Sequence, residues 1–295
     1  IARMLKDYPP EYVQQYVYGS REVMLGYRFF DPMALKQQVV AEPMEVQGAV
    51  GTGFFVDGMP LPEWRPQAGG PVRLYEVFDE RDPYILGADI ATGEGFSRCA
   101  GVLLNGRFNR TAAVIDEDLR PDEFAVQLYF LSRAYGNALI APERNGIGFA
   151  VVSALQRMTG HLFSGTVGVS GHEATSKDLG WWTDAQSRMA LFAGLQQDIA
   201  RRSTELKDRE LIEQCKAVTM IKGKPKAEEG FKDDLVMARA IAGMVRKLRG
   251  LTRLTSPARA DALPTDGGRG AMAESFAGSG AYGYGRSGGL AVAGR

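Results

Sequence analysis

The stretch that decides the fold is YILGADIATGEGFSRCAGVLLNGRFNRTAAVID, residues 84–116. It contains three apolar runs, at 84–91, 99–105 and 111–116, separated by glycine and asparagine. Apolar runs of this length, bounded by turn residues, are typical of buried strands. Three such runs in succession predict an antiparallel meander.

Helical and strand patterns alternate after the meander. Pro121, followed by two acidic residues, stands where a helix begins, and apolar residues at helical spacing predict a helix to about residue 135. The runs 137–141 and 161–169 predict a fourth and a fifth strand, and residues 147–158 predict the helix between them. The order is βββαβαβ, which favours an α/β fold with a mixed five-stranded sheet.

Three more helices are predicted after the fifth strand. A capping box from Thr183 to Gln186 opens the first, Asp208 caps the second, and the third runs from about Asp233 to residue 248. Residues 218–230 between the last two helices predict a basic hairpin. We expect helices on both faces of the sheet.

The chain divides into four regions by composition. Residues 1–40 predict one or two helices with a linker, and residues 41–83 predict a small β-rich linker of short strands. Residues 84–249 carry the α/β pattern. The tail, 250–295, is rich in glycine and alanine and is predicted to be disordered.

The composition excludes several classes of protein. The 295 residues include 35 Lys and Arg, 35 Asp and Glu, two Cys and two His. No apolar run approaches the ~20 residues that cross a bilayer, so we expect a soluble protein. Two cysteines form no disulfide framework, and His161 and His172 leave little room for zinc sites or nucleophilic triads. Residues 48–53 have phosphate-loop spacing, but Phe54 and Phe55 replace the required Lys and Ser/Thr.

Carboxylates carry the most information about function. Asp89 lies near the end of the first strand and Glu143 at the end of the fourth, and these strands are neighbours in a βββαβα sheet. Asp234 shares a helical stripe with apolar residues, whereas Asp233 is turned about a quarter of a circle away. Each acid also has an ordinary interpretation, as a turn residue, a solvated side chain or a helix cap.

Clustered carboxylates need a counterion. Two of them at about 4 Å repel by about 4 kcal/mol at an effective dielectric of about 20. Oxygen ligands without His or Cys favour Mg²⁺ or Mn²⁺, and two such ions can activate a water and stabilise the leaving oxygen of a phosphodiester. The acids therefore predict a two-ion hydrolytic site.

Basic and aromatic residues near these acids fit a nucleic-acid substrate. Lysines at four positions would line a path beside the acids and bind phosphates, or would form only a solvated hairpin: Lys222, Lys224, Lys226 and Lys232. Arg188 fits either a phosphate contact or an ion pair with an acidic neighbour. Trp181 and Trp182 fit either base stacking or core packing.

Four segments in series resemble the C-terminal nuclease domain of tailed-phage terminase large subunits. They are YILGADIATGEG at 84–95, APERNG at 141–146, LGWWT at 179–183 with Arg188, and GFKDDLVMA at 230–238. The segment YVQQYVYG at 12–19 is similar to the end of the packaging ATPase domain of these proteins. The resemblance to the nuclease spans about residues 84–249.

The resemblance implies an RNase H-like fold and a set of site residues. It implies that Asp89, Glu143 and Asp234 are metal ligands and that Asp233 is an auxiliary acid. The sequence departs from the family where Ser97 and Arg98 stand, because members often carry another acid there. It also contains no Walker loop, so this chain alone is expected to cleave DNA and not to translocate it.

The resemblance further implies a function in viral genome packaging. The expected activity is a Mg²⁺- or Mn²⁺-dependent endonuclease that cuts concatemeric double-stranded DNA with two ions. Expected partners are double-stranded DNA, the terminase small subunit, the portal protein and the ATPase domain of the same large subunit, with no membrane. The expected location is the bacterial host cytoplasm, transiently at the procapsid portal. The alternatives are a non-catalytic docking module for the portal or motor, and an RNase H-like resolvase or integrase.

Overall fold

A computed structural model describes residues 28–50, 63–66, 70–91, 98–164 and 179–251, without side-chain detail at 45–50 and 63–66. Several sequence predictions therefore lie outside the described residues: the ATPase-like segment 12–19, most of the glycine loop 92–97, and nearly all of the tail 250–295. None of the described helices has the length and apolar character that crossing a bilayer requires.

The described elements alternate as the sequence predicts from residue 84 onward. The helices are α1 Pro32–Lys36, α2 Pro121–Ala134, α3 Gly148–Met158, α4 Ala185–Ala200, α5 Arg209–Ala217 and α6 Asp234–Leu248. The strands are β1 Glu45–Val50, β2 Glu63–Pro66, β3 Val72–Leu74, β4 Tyr84–Asp89, β5 Cys99–Asn105, β6 Arg110–Glu117, β7 Leu139–Pro142, β8 Val218–Ile221 and β9 Lys224–Ala227.

The main sheet is mixed and has the strand order β2-β1-β3-β6-β5-β4-β7. Strands β4, β5 and β6 form the predicted antiparallel meander, and β7 pairs in parallel with β4. The predicted α/β fold class with a mixed sheet is confirmed, and the described residues form seven strands in this sheet. The first and fourth strands of the predicted pattern are neighbours, which brings the ends of β4 and β7 together.

The segment before residue 84 extends this sheet. Its strand β3 pairs antiparallel with β6, and β1 and β2 continue the sheet beyond it. The sequence predicts 41–83 as a small β-rich linker. In the structure β3 covers the edge of β6, which would otherwise be open, and Val72 and Leu74 of β3 are buried. Phe30 and Leu35, upstream, are also buried in the main core.

The predicted fifth strand is reduced to single bridges in the part of the chain that is described. Residues 161–164 form isolated bridges, between Ile140 and Leu162 and between Ser164 and Leu179. Phe163 donates its amide to the Ile140 carbonyl at 2.7 Å, so the segment lies beside β7 without a continuous ladder. Residues 165–169 lie outside the described ranges.

The helix starts agree with the sequence, with one exception. Asp208 accepts from the Leu211 amide at 2.7 Å, as its predicted role as a cap requires. The capping box predicted from Thr183 to Gln186 is wrong by one residue, because Asp184 and Ser187 exchange the two capping hydrogen bonds, each 2.7 Å long. The Thr183 amide is instead bound by a side chain of the loop after β7.

Helices cover both faces of the sheet, as predicted. On one face α6 lies across β4 and β5, and a Cβ added at Gly87 would come within 2.2 Å of the Ala238 carbonyl oxygen. On the other face Gly101 approaches Leu128 of α2. The close approach at Gly87 brings the start of α6 to the end of β4.

Substituting Gly87 by alanine is expected to destabilise the protein. The added methyl would meet the backbone of α6 at Ala238 and Ala242, so the helix must shift, at a cost of about 1–3 kcal/mol. Each kcal/mol lowers Tm by about 2–4 °C, measurable by calorimetry. Gly160→Ala is the matched control, since nothing lies within 4 Å of its added Cβ. Equal Tm values for the two variants would contradict the close helix–strand contact.

Candidate metal centre

The parallel pairing of β4 with β7 brings two candidate ligands side by side. The pairing continues one residue beyond β7, where the Glu143 amide donates to the Ala88 carbonyl at 2.8 Å. Asp89, the next residue of β4, shares a side-chain hydrogen bond with Glu143. The two carboxyl groups therefore meet at the end of the sheet, as their strand positions predict.

The backbone after Glu143 is fixed by a second segment. The Asn145 side chain binds both polar groups of Thr183, accepting from its amide at 2.9 Å and donating to its carbonyl at 2.6 Å. The Trp181 amide donates to the Pro142 carbonyl at 2.7 Å. Gly148 is required in this turn, because a Cβ there would lie 2.1 Å from the Glu143 carbonyl oxygen. Asn145 thus shapes the turn that orients Glu143.

Helix α6 supplies the third candidate ligand. Asp234 is its first residue and is 9% exposed, and its Oδ2 accepts a hydrogen bond from the Arg98 amide at 3.0 Å. Arg98 directly precedes β5, in which Ala100 pairs with Asp89. Asp234 therefore reaches the sheet at the same end as Asp89.

Asp233, the predicted auxiliary acid, is bound in an ion pair. Its Oδ2 accepts from Arg188 Nη2 at 2.5 Å and from the Ala227 amide of β9 at 3.1 Å. Arg188 also donates through Nε to the Pro225 carbonyl and lies over the Phe192 ring. Of the two alternatives for Arg188, the structure contains the ion pair with an acidic neighbour; a phosphate contact stays a prediction.

The electrostatics of the site disfavour the ionised forms of Asp89 and Asp234. Burial raises the pKa of Asp89 well above its usual value, and the hydrogen bond and charge of Glu143 and the charges of Asp234 and Asp233 raise it further. Burial also raises the pKa of Asp234, although the Arg98 amide opposes that rise. A cation bound between these carboxyl groups would relieve the repulsion that raises the pKa of Asp89.

The candidate ligand atoms are of the chemical type that binds hard divalent cations. Asp89, Glu143 and Asp234 offer oxygen ligands only, which suit Mg²⁺ and Mn²⁺. Among the described residues no three His, Cys, Asp or Glu side chains stand close enough to hold one ion as they are. Sharing one ion therefore requires these side chains to move closer together. Burial raises the pKa of the nearby Cys99 thiol to about 11.

Sequence reasoning missed Asp116 and the interaction that Arg98 makes with it. Asp116 is 7% exposed and pairs across the sheet with Ala100, the partner of Asp89. Arg98 Nη1 lies 3.8 Å from Asp116 Oδ1. The available signal was that an apolar run of the meander ends in an acid, but the strand register that aligns this acid with Asp89 is not visible in the sequence.

The basic hairpin is confirmed by the pairing of β8 with β9. Its turn has positive φ at Lys222 and Gly223, as tight hairpin turns require. Lys224 and Lys226 are exposed and alternate with buried residues of β9. Lys232 is half-buried, and its charge opposes the rise that burial causes in the pKa of Asp234. The hairpin joins the site through the Ala227 amide on Asp233.

The two adjacent tryptophans differ in environment. Trp181 is 3% exposed and stacks on Phe163, with ring centroids 6.0 Å apart, so core packing describes it. Trp182 is 42% exposed, and the Arg144 guanidinium lies 5.3 Å from its ring centroid. Base stacking remains a prediction for Trp182 alone.

No protein-family model and no curated protein sequence matches the chain. Solved structures match its fold. The large terminase nuclease of thermophilic phage G20c with bound magnesium is 13% identical at a TM-score of 0.52, covering 74% of this chain and 97% of that one. The same nuclease with bound cobalt is 14% identical at a TM-score of 0.51, covering 74% and 97%. At this identity the likeness establishes the fold, so the chain has the RNase H-like fold of phage large-terminase nucleases.

Proposed function

We propose that this chain is a metal-dependent endonuclease that cuts concatemeric double-stranded DNA during viral genome packaging. The observation that carries the proposal is the meeting of Asp89 and Glu143, with Asp234 beside them, at one end of a terminase-nuclease fold. Buried acids whose ionisation is disfavoured are typical of functional sites. The G20c nuclease of the same fold has been crystallised with magnesium and with cobalt, which supports a divalent ion.

The protein's own residues would hold and orient the reacting groups. Asp89, Glu143 and Asp234 would bind two Mg²⁺ or Mn²⁺ ions, and Asp233, fixed by Arg188, would add negative charge beside them. Two such ions activate a water and stabilise the leaving oxygen of a phosphodiester. Hydrolysis would leave a 5′-phosphate and a 3′-hydroxyl, as is usual for this fold.

The exposed lysines support a DNA substrate. Lys222, Lys224 and Lys226 lie on a hairpin that is hydrogen-bonded to Asp233, and Lys232 lies between the hairpin and α6. Contacts to phosphates from such residues are independent of sequence and sensitive to salt. We also propose the packaging partners: the small subunit, the portal protein and an ATPase domain that ends within 1–40, assembled in the host cytoplasm at the procapsid portal.

Asp89→Asn is expected to lower Mn²⁺-dependent nicking of supercoiled plasmid by about 100-fold or more, because metal ions supply several kcal/mol of transition-state stabilisation. DNA affinity, measured by mobility shift, should stay nearly intact. Asp118→Asn, which alters an exposed carboxyl after β6, is the matched control and should retain activity.

Three outcomes of cleavage and thermal-stability assays would change the proposal. Unchanged cleavage by Asp89→Asn would refute the site. Cleavage of branched junctions or transposon ends alone would favour a resolvase or integrase. A wild-type protein without cleavage or Mn²⁺-induced stabilisation would favour the docking module.

Asp89→Asn is also expected to raise Tm at neutral pH when divalent ions are removed by chelation. The folded pKa of Asp89 is raised, so its contribution to stability is complete below the unfolded pKa of about 4 and is lost as the pH rises toward the folded value. The advantage of the variant should therefore grow from about pH 4 to neutrality. Calorimetry checks this, with Asp118→Asn following the wild type. A Tm difference between Asp89→Asn and the wild type that does not change with pH would contradict a raised pKa for Asp89.

Neutralising the hairpin is expected to weaken DNA binding uniformly across sequences. Lys224→Gln with Lys226→Gln should reduce the slope of log K against log salt by about one unit for each lysine that contacts a phosphate. Arg133→Gln on α2 is the control, because this exposed cation lies on the helix that covers the opposite face of the sheet. Identical slopes for the lysine double variant and Arg133→Gln would show that the hairpin is solvated and does not contact DNA.

A further inference from the structure

Three strands align a fourth acid with the candidate metal centre. Asp89 pairs with Ala100 between β4 and β5, and Ala100 pairs with Asp116 between β5 and β6. Directly opposed residues of antiparallel strands share a face, so Asp89 and Asp116 lie on the same face of the sheet. Gly87, two positions before Asp89, faces α6, so this is the face from which Asp234 approaches.

Arg98 connects this fourth acid to Asp234. Its amide donates to Asp234 Oδ2 at 3.0 Å, while its guanidinium donates through Nη1 to the Asp116 carbonyl at 3.3 Å. The same Nη1 lies 3.8 Å from Asp116 Oδ1. One residue thus contacts both acids, with its main chain on one and its side chain on the other.

The Asp116 side chain is more buried than the carboxylates of ordinary surface ion pairs. Its side chain is 8% exposed, and its Oδ1 has no hydrogen-bond partner. Burial raises the pKa of Asp116, and the charges of three cations oppose that rise: Arg73 from β3, Arg98 before β5 and Lys232 before α6. A buried carboxylate is destabilising unless it is paired, and Arg98 lies at ion-pair distance from this one.

We propose that Arg98 and Asp116 form a positioning pair that fixes the Asp234 carboxylate for metal binding. The inference rests on the proposed function and adds two residues to its site. The Arg98 side chain is held at Asp116 by the hydrogen bond to the main-chain carbonyl and by the ion pair with the carboxylate, and these two contacts fix the main chain at residue 98. The Arg98 amide then binds one oxygen of Asp234, so the rotation of the Asp234 carboxylate is set before an ion arrives.

Charge alone predicts a different pattern of mutant effects. If the pair acted only through its charges, Arg98→Gln would remove a cation near the acids and tighten metal binding, and Asp116→Asn would weaken it. If the pair positions Asp234, both substitutions weaken metal binding, because Arg98→Gln removes both contacts to Asp116 and Asp116→Asn removes the ion pair, so each loosens the Arg98 main chain. The sign of the Arg98→Gln effect therefore separates the two explanations.

The test is a Mn²⁺ titration of Tm in the absence of DNA, with the full chain. Arg98→Gln and Asp116→Asn should each raise the Mn²⁺ concentration at half-maximal stabilisation about tenfold, the lower end of effects from residues that support metal ligands. The double variant should bind Mn²⁺ no more weakly than the single variant with the higher midpoint, because both substitutions act through one contact. Arg98→Lys, which keeps a cation able to reach Asp116, should recover part of the loss.

A second arginine–aspartate pair provides the matched control. Arg107 lies 3.4 Å from Asp82, with side-chain exposures of 46% and 4%, against 40% and 8% for Arg98 and Asp116. Arg107→Gln should keep the wild-type Mn²⁺ midpoint. The Tm of each variant without metal reports any loss of folding separately from the midpoint.

The outcomes distinguish this inference from the proposed function. Tighter Mn²⁺ binding by Arg98→Gln, an unchanged midpoint in either single variant, or losses that multiply in the double variant would overturn the positioning pair while leaving the nuclease site intact. A wild-type protein that Mn²⁺ neither stabilises nor activates would overturn the proposed function and the positioning pair together.

Discussion

The structure depends on gathering carboxyl groups that repel one another at one end of a sheet. Asp89 and Glu143 are held together because β4 and β7 pair in parallel as far as the amide of Glu143. Asp234 joins them because α6 packs directly against the backbone of β4 at Gly87. Main-chain contacts thus hold acids whose side chains would separate in solution, and the stability lost there is what a divalent cation can restore.

Positive charge around the site is distributed in pairs. Asp233 is bound by Arg188 and Asp116 by Arg98, and each pair also contacts a neighbouring backbone, at Pro225 and at Asp116 itself. Each arginine therefore lies beside one acid and also donates a hydrogen bond to a main-chain carbonyl. Asp89 and Glu143 share a hydrogen bond with each other, which leaves them as the acids with most to gain from an added cation.

The sequence predicts the parts of this site that depend on local pattern and strand order. The three runs of the meander, the start of α2 at Pro121 and the neighbouring positions of Asp89 and Glu143 follow from periodicity and connectivity. Asp116 does not follow, because its alignment depends on the register between β5 and β6, which includes a shift near Leu103. Long-range pairing also decides that β3 joins β6 and that Arg188 meets Asp233.

Anomalous diffraction from crystals soaked in Mn²⁺ tests the central claim most directly, because it locates the ions without relying on activity. The account predicts two anomalous peaks at the end of the sheet, coordinated by Asp89, Glu143 and Asp234, with the hydrogen bond between Asp89 and Glu143 opened. Peaks elsewhere in a crystal saturated with Mn²⁺, with that hydrogen bond unchanged, would contradict it.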